Sequence, residues 1–286
     1  MRCVEQHPVV AVLGKGVVPA ETPLLRADDL GVLRGDGVFE TIYVRHGEPW
    51  LLAEHLDRMA NSAAILEIAL PPRAALEELA AQALAGWPHA IEGAFRLICT
   101  RGAEHGDGTP TVFATLSEIA PERRIARREG VAVVTAALGY AVGARADAPW
   151  LLGGAKTLSY AVNMASMRWG TARGLDEVLW VSADGYALEA PTASLVWLDG
   201  DELCTVPPER AGILAGITAR WLLDHAGDLG WTAAERLVRP DELRGMGGAW
   251  LTSSVRGVVA VRELDGVPIE PSPHTARVQD LLGYPV

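Results

Sequence analysis

The sequence predicts an α+β protein built as two sheet-containing domains. The first part of the chain mixes strand-like runs with helical periodicity. A highly charged stretch, PERRIARREG over residues 121–130, interrupts that texture. Beyond it, short apolar strands are punctuated by Asp-Gly turns at Asp184-Gly185, Asp199-Gly200 and Asp265-Gly266. The expected domains are residues 1–122 and 123–286. With 286 residues, 49% of them apolar, the chain is long enough for two cores.

The elements follow in order. Residues 9–12 and 38–44 are rich in β-branched and aromatic side chains and predict strands, the second ending in a His46-Gly47 turn. From 54 to 68, Leu56, Met59, Ala60, Ala63 and Ala64 recur at helical spacing, and a second helix is expected over 72–85. Residues 95–100 and 111–116 predict two more strands. The charged stretch 121–130 marks the region of the domain boundary, or else an exposed connector. Strand 131–137 opens the second domain. A glycine-rich loop (Gly139, Gly143, Gly153, Gly154) leads to Lys156, and helices are expected over 159–173 and 213–225.

Composition limits the partners. The net charge of -11 disfavours nucleic acid and anionic membrane surfaces. The three cysteines, Cys3, Cys99 and Cys204, are far apart, form no CxxC pair and predict free thiols in a reducing cytoplasm. No metal site is expected. The start of the chain lacks a signal-peptide pattern, and the apolar run 131–138 is too short to span a bilayer.

The residues able to carry chemistry are individually ordinary. Of 25 basic side chains only two are lysines, Lys15 and Lys156. Arginine stays protonated and forms no imine, so a retained lysine raises the question of amine chemistry. Lys156 follows two glycines and precedes an apolar helix pattern. Glu189 lies in a strand-turn-strand pattern among apolar residues, where a buried carboxylate needs a partner. GILAGIT, residues 212–218, places backbone amides and the Thr218 hydroxyl at a helix start suited to phosphate. Arg58 on the first helix suits bidentate phosphate binding. Thr252, Ser253 and Ser254 offer hydroxyls at a strand end. Taken singly, each also reads as a surface charge or turn residue.

Their order and spacing together resemble the class IV aminotransferase family, the fold-type IV pyridoxal-phosphate enzymes. The stretches that carry the resemblance are RGDGVFET (34–41), EHLDR (54–58), AKTLSY (155–160), DEVLWVSADGYALEAPTASL (176–195), GILAGIT and LTSSVRGVVAV. They span roughly residues 8–270. The resemblance implies a smaller N-terminal α/β domain and a larger C-terminal domain with a β-barrel-like sheet that carries the lysine. It implies pyridoxal 5'-phosphate as cofactor. Lys156 matches the Schiff-base and proton-transfer lysine, and Glu189 the partner of the pyridine nitrogen. Arg58, Ile217, Thr218 and Ser254 match the phosphate site, and Tyr160 a tyrosine near the cofactor phenolic oxygen. It further implies a cytoplasmic homodimer with the active site near the interface, acting on a small molecule.

RGDGVFET and AKTLSYAVNMAS look most like the actinobacterial members assigned as aminodeoxychorismate lyases, which release pyruvate to leave 4-aminobenzoate for folate biosynthesis. Arg34, Arg96 and Arg101 are the candidates for the substrate carboxylates. D-amino acid aminotransferase is the runner-up. Those members carry an Arg-x-His pair after a Thr-Arg-Gly step, whereas Thr100-Arg101-Gly102 here is followed by AEHGDGTP, with Asp107 and Thr109 in those places. A branched-chain aminotransferase fits less well, because its loop there is apolar. A catalytically silent paralogue would have no need of Lys156, Glu189, Arg58 and Thr218 together.

Overall fold

A computed structural model describes residues 8–285. Cys3 and its expected free thiol lie outside the described residues. The chain divides into two compact units, Met1–Ala120 with Ala155–Tyr160, and Pro121–Gly154 with Ala161–Val286. The six residues that include Lys156, placed by the sequence reading in the second domain, therefore group with the first unit.

The first unit is one antiparallel sheet in the order β2-β1-β6-β5-β3-β4. Its strands are β1 (Val9–Val12), β2 (Gly16–Val18), β3 (Gly37–Arg45), β4 (Glu48–Pro49), β5 (Gly93–Thr100) and β6 (Thr111–Glu118). Three helices accompany it: α1 (Leu30–Arg34), α2 (Leu52–Ile65) and α3 (Arg73–Leu84). Buried apolar side chains of the central strands (Ile42, Val44, Phe95, Leu97, Leu116) form one core with Leu56, Met59, Leu76 and Leu79 of α2 and α3.

The inward face of α2 differs from the expected one. Leu56, Met59 and Ala63 are buried as predicted, but Ala60 and Ala64 face solvent. His55 and Ser62 are buried instead. Alanine reports weakly on which side of a helix faces the core. Here the buried polar groups turned α2 toward His55 and Ser62.

Residues 156–158 run along the start of β3 on the side that β4 does not reach. Val38 and Thr157 form an antiparallel bridge. Phe39 N–H donates to the Lys156 carbonyl at 3.2 Å, and Leu158 N–H donates to the Gly37 carbonyl at 2.8 Å. The segment thereby occupies an otherwise open strand edge. Gly37 makes this approach possible: a Cβ there would stand 2.6 Å from Leu158 Cδ1 and 2.7 Å from the Cys99 carbonyl oxygen.

The second unit is a mixed nine-stranded sheet with the path β12-β11-β10-β13-β14-β7-β8, with β9 on β10 and β15 on β14. Its strands are β7 (Val131–Ala137), β8 (Glu177–Val181), β9 (Glu189–Ala190), β10 (Ala193–Asp199), β11 (Glu202–Thr205), β12 (Thr232–Glu235), β13 (Gly248–Ser253), β14 (Gly257–Leu264) and β15 (Val267–Pro268). The β7–β8, β7–β14 and β11–β12 pairs are parallel. Five helices belong here: α4 (Pro121–Glu129), α5 (Ala161–Thr171), α6 (Pro208–Ala211), α7 (Ile217–Asp224) and α8 (Thr275–Leu282). The stretch read as a charged boundary or connector is the helix α4, and Arg127 on it is only 2% exposed.

Cys99 and Cys204 are free and buried, and burial pushes their thiols up to about 12 and about 11. No described helix is long and apolar enough to cross a membrane.

Candidate active site

The first unit centres on a carboxylate with no access to water. Glu40 on β3 is 0% exposed. It accepts from Arg58 Nε at 2.8 Å and Arg58 Nη2 at 2.6 Å, a two-point fork. His55 Nδ1 lies 2.7 Å from Oε2, the same oxygen that accepts from Arg58 Nη2. Burial alone would raise the Glu40 pKa, but the Arg58 charge and the hydrogen bonds from Arg58 and His55 pull it down to about 2. Burial pushes the His55 pKa below 6.5, and the positive charges of Arg58 and Lys156 push the same way, against Glu40. With the ring neutral, its proton sits on Nδ1, facing Glu40.

α2 presents these groups at helical spacing: His55, Arg58 and Ser62 share the face turned to β3. Ser62 Oγ accepts from the Lys156 backbone N–H at 3.0 Å. The lysine backbone is thus fixed on one side by Ser62 and on the other by Phe39. Its amine stands 4.4 Å from the Phe39 ring centroid and 5.5 Å from that of Tyr160. The two rings meet edge to face at 5.3 Å. An aromatic corner of this kind accommodates the amine in either protonation state, because the ring faces attract the cation and also accept the apolar stem.

The three candidate substrate arginines are all in this unit but in different surroundings. Arg34, at the end of α1, pairs with Glu104 at 3.1 Å on the surface. Arg101 forks onto Asp36 of the RGDG motif at 2.6 and 3.2 Å, and also donates to the carbonyls of Leu66 and Glu67. Arg96 is an exposed residue in the middle of β5, and it forms no ion pair among the described residues.

The second unit brings Glu189, Ile217 and Thr218 onto neighbouring elements, with Ser254 just beyond the end of β13. Glu189 on β9 pairs in register with Ser194 on β10, and Ser194 in turn pairs with Thr252 on β13. The Leu214 N–H reaches Glu189 Oε1 at 3.4 Å. α7 starts after Gly216, which lies so close to Ser194 that a Cβ would stand 2.1 Å from its hydroxyl oxygen. Ser254 follows β13 directly, two residues beyond Thr252. Asn163 on α5 donates to the Pro191 carbonyl at 2.7 Å and so ties the β9–β10 turn to α5.

The residues present fit pyridoxal phosphate. No side chain caps the start of α7, so its first amides are available to an anion. Thr218, 2% exposed, holds a buried hydroxyl oxygen with no hydrogen-bond partner. An orphaned hydroxyl beside an uncapped helix start is the donor set that a phosphate would satisfy. Glu189, in the same unit, carries a carboxylate on β9. Among the described residues no cluster of three or more His, Cys, Asp or Glu side chains is arranged to hold a metal ion.

Glu40, His55, Ser62, Phe39, Asp36 and Asn163 were not singled out from the sequence. The one available signal was on α2, where His55, Arg58 and Ser62 recur at helical spacing beside an apolar stripe.

A profile of the family described as amino-transferase class IV matches residues 37–264. A Mycobacterium tuberculosis protein named bifunctional aminodeoxychorismate lyase / D-amino acid transaminase is 39% identical over 267 residues, covering 90% of this chain and 92% of that one. A hypothetical aminotransferase of M. tuberculosis, solved in its PLP-bound form, superposes with a TM-score of 0.91 at 36% identity, covering 96% and 97% of the two chains. A fold IV transaminase of Curtobacterium pusillum superposes with a TM-score of 0.90 at 36% identity, covering 97% and 98%.

Two predictions follow from the charges and the orphaned hydroxyl. Glu40 and His55 both have pKa values below their ordinary ones, so the unfolded chain binds more protons than the folded one as pH falls. The stability linked to His55 is complete above pH 6.5 and is lost below it. That linked to Glu40 is complete above 4.5 and is lost as pH falls through about 2. Glu40→Gln is expected to cost on the order of 3 kcal/mol at neutral pH, because it leaves Arg58 without its counter-charge. Urea-unfolding curves of the two proteins should converge between pH 4.5 and 2; parallel pH profiles would show that Glu40 is not the linked group. Thr218→Val removes only the orphaned hydroxyl. The apo protein should be as stable or more so, because an unsatisfied buried group is lost, while the cofactor dissociation constant rises. An unchanged constant in a spectrophotometric titration would take Thr218 out of the site.

Proposed function

The chain belongs to the class IV amino-transferase family and is a pyridoxal-phosphate enzyme, and from that membership we propose that it cleaves 4-amino-4-deoxychorismate into 4-aminobenzoate and pyruvate. The observation that carries the proposal is the 39% identity, along 92% of its length, to a protein named for that lyase activity. The same name includes D-amino acid transamination, and this is the second activity we assign to the site.

Bound pyridoxal phosphate supplies the electron sink that stabilises a carbanion beside the substrate nitrogen. This chain supplies everything around that chemistry. We assign to Lys156 both the covalent hold on the cofactor and, once displaced by the substrate amine, removal of the proton from the amine-bearing carbon. Its backbone is held by Ser62 and Phe39, so the amine moves on its side-chain stem while the segment stays in place. Glu189 would serve the pyridine nitrogen and keep it protonated. Ile217, Thr218, Ser254 and Arg58 would bind the phosphate, and the Glu40 fork fixes the plane of the Arg58 guanidinium. Tyr160 would serve the phenolic oxygen.

In the lyase reaction the proton leaves the ring carbon that bears the amine, the bond from the ring to the enolpyruvyl oxygen breaks, and the ring becomes aromatic. The leaving enolpyruvate takes up a proton at its methylene carbon to become pyruvate. In transamination Lys156 returns the proton to a different carbon. Two features of this chain support the lyase as the principal activity. Asp107 and Thr109 occupy the places of the Arg-x-His pair, and the Asp107 carboxylate accepts from the Thr109 N–H at 2.9 Å. Of the three substrate arginines, Arg96 alone is uncommitted to a carboxylate.

Incubation with chorismate, glutamine and the amidating synthase should release 4-aminobenzoate and pyruvate. Turnover of D-alanine with 2-oxoglutarate and no 4-aminobenzoate would replace the lyase with the transaminase. Lys156→Ala should lower either rate by at least about a thousandfold; a variant that keeps its activity would show that another group moves the proton. We also propose that the enzyme is a homodimer. Trp150 (76% exposed) and Val162 (62% exposed) support a partner surface on the second unit. Sedimentation equilibrium should give twice the chain mass, and a monomer at micromolar concentration would contradict it.

A further inference from the structure

The turn that carries Ser254 is gripped by side chains from the first and last helices of its own unit. Arg127 of α4 donates from Nε to the Arg256 carbonyl at 3.0 Å and from Nη2 to the Val255 carbonyl at 2.9 Å. Its Nη1 donates to the Pro285 carbonyl at 2.8 Å, and its guanidinium lies 4.9 Å from the Tyr284 ring centroid. The Tyr284 hydroxyl, just past α8, donates to the Ser254 carbonyl at 2.6 Å. Gln279 on α8 bridges the Arg127 carbonyl at 2.7 Å and the Val258 carbonyl at 3.2 Å. The carbonyls of residues 254, 255, 256 and 258 thus all accept from side chains of α4, α8 or Tyr284.

The same turn has little room to relax. Gly257 has φ +72°, and a Cβ there would stand 2.9 Å from the Tyr284 ring. The Arg256 side chain pairs with Glu177 at 2.9 Å, both of them buried. Holding a hairpin turn does not require three charged or polar side chains brought from α4, α8 and the residues just past α8. A hydroxyl that must meet an anion does need a backbone fixed to within about 0.5 Å.

We infer that Arg127 and Tyr284 are positioning residues for the phosphate end of the cofactor, acting through the backbone of residues 254–256. The inference rests on the reading of Ser254 as a phosphate-binding hydroxyl. Neither residue touches the cofactor. Their carbonyl contacts select one conformation of the turn, and that conformation sets where the Ser254 hydroxyl stands.

The test uses Tyr284→Phe, which keeps the ring against Gly257 and Arg127 and removes one hydrogen bond. Ser254→Ala is measured beside it. Three quantities are read: the dissociation constant of pyridoxal phosphate, the 31P resonance of the bound cofactor, and the thermal midpoint of the apo protein. Tyr284→Phe should raise the dissociation constant about fivefold, the worth of one neutral hydrogen bond, and should shift the 31P resonance in the same direction as Ser254→Ala. Arg127→Lys keeps the charge but loses the fork, and should shift both further; if it does not fold, Tyr284→Phe decides alone. Should Ser254→Ala move affinity and resonance while Tyr284→Phe moves neither, the positioning role is overturned and the Ser254 reading stands. Should Ser254→Ala move neither, the Ser254 reading fails and the inference falls with it. A lowered apo midpoint with unmoved affinity and resonance in Tyr284→Phe marks a clamp for the fold alone, and also overturns it.

Discussion

A carboxylate without solvent, at Glu40, constrains the first unit more than any other group. Taking a charge out of water costs several kcal/mol unless it is paired in good geometry. The pairing here is supplied from one helix, by the Arg58 fork and the His55 ring. That requirement sets the rotation of α2 on β3, because His55 and Arg58 must both face inward. Once α2 is so turned, Ser62, about two turns further on, is buried on the same side and receives the Lys156 N–H. The charge on β3 therefore decides where the lysine backbone is held, through a helix that touches both.

The second unit solves a different problem. It leaves the Thr218 hydroxyl and the start of α7 without side-chain partners among the described residues. Gly216 and Ser194 pack α7 against β10 so closely that no side chain fits between, which leaves the helix start uncapped. The Thr218 hydroxyl is buried without a partner at a cost of roughly 1–3 kcal/mol. Such a cost persists only where the surrounding packing enforces it. The sheet order provides that packing, since β9, β10 and β13 lie side by side and carry Glu189, Ser194 and Thr252 in one register.

Much of the fold was legible because strand alternation and helix periodicity are local. β3, β5, β6, α2 and α5 fall close to where their patterns placed them. What could not be read depends on tertiary partners. The Glu40–Arg58 fork joins residues eighteen apart on different elements, and no spacing rule announces it. α4 looked like a connector because its arginines suggest solvent, yet Arg127 is buried among backbone carbonyls far along the chain. Residues 155–160 follow a loop of the second unit and pack with the first, an exchange that a linear reading has no means to detect. The lysine itself was found by scarcity and by the company of Glu189, Arg58 and Thr218, rather than by any property of its own segment.

In the function proposed for this chain, the best-fixed groups, those around Lys156, would serve removal of a proton, a step common to elimination and transamination. Specificity must then come from whatever holds the substrate carboxylates. Here the surroundings of the arginines carry the argument. Arg101 faces the Asp36 carboxylate and directs Nε, Nη1 and Nη2 at it and at the carbonyls of Leu66 and Glu67, so it has little donor capacity left for a second anion. Arg34 is partly neutralised by Glu104. Arg96 lies in the middle of a rigid strand without such a counter-charge, so its field is the one least cancelled by the protein. In a chain of net charge -11, an uncancelled arginine on a strand is the feature that the proposed lyase would use for a substrate carboxylate. On this reading the choice of reaction is set by the electrostatics around β5, while Lys156 serves both.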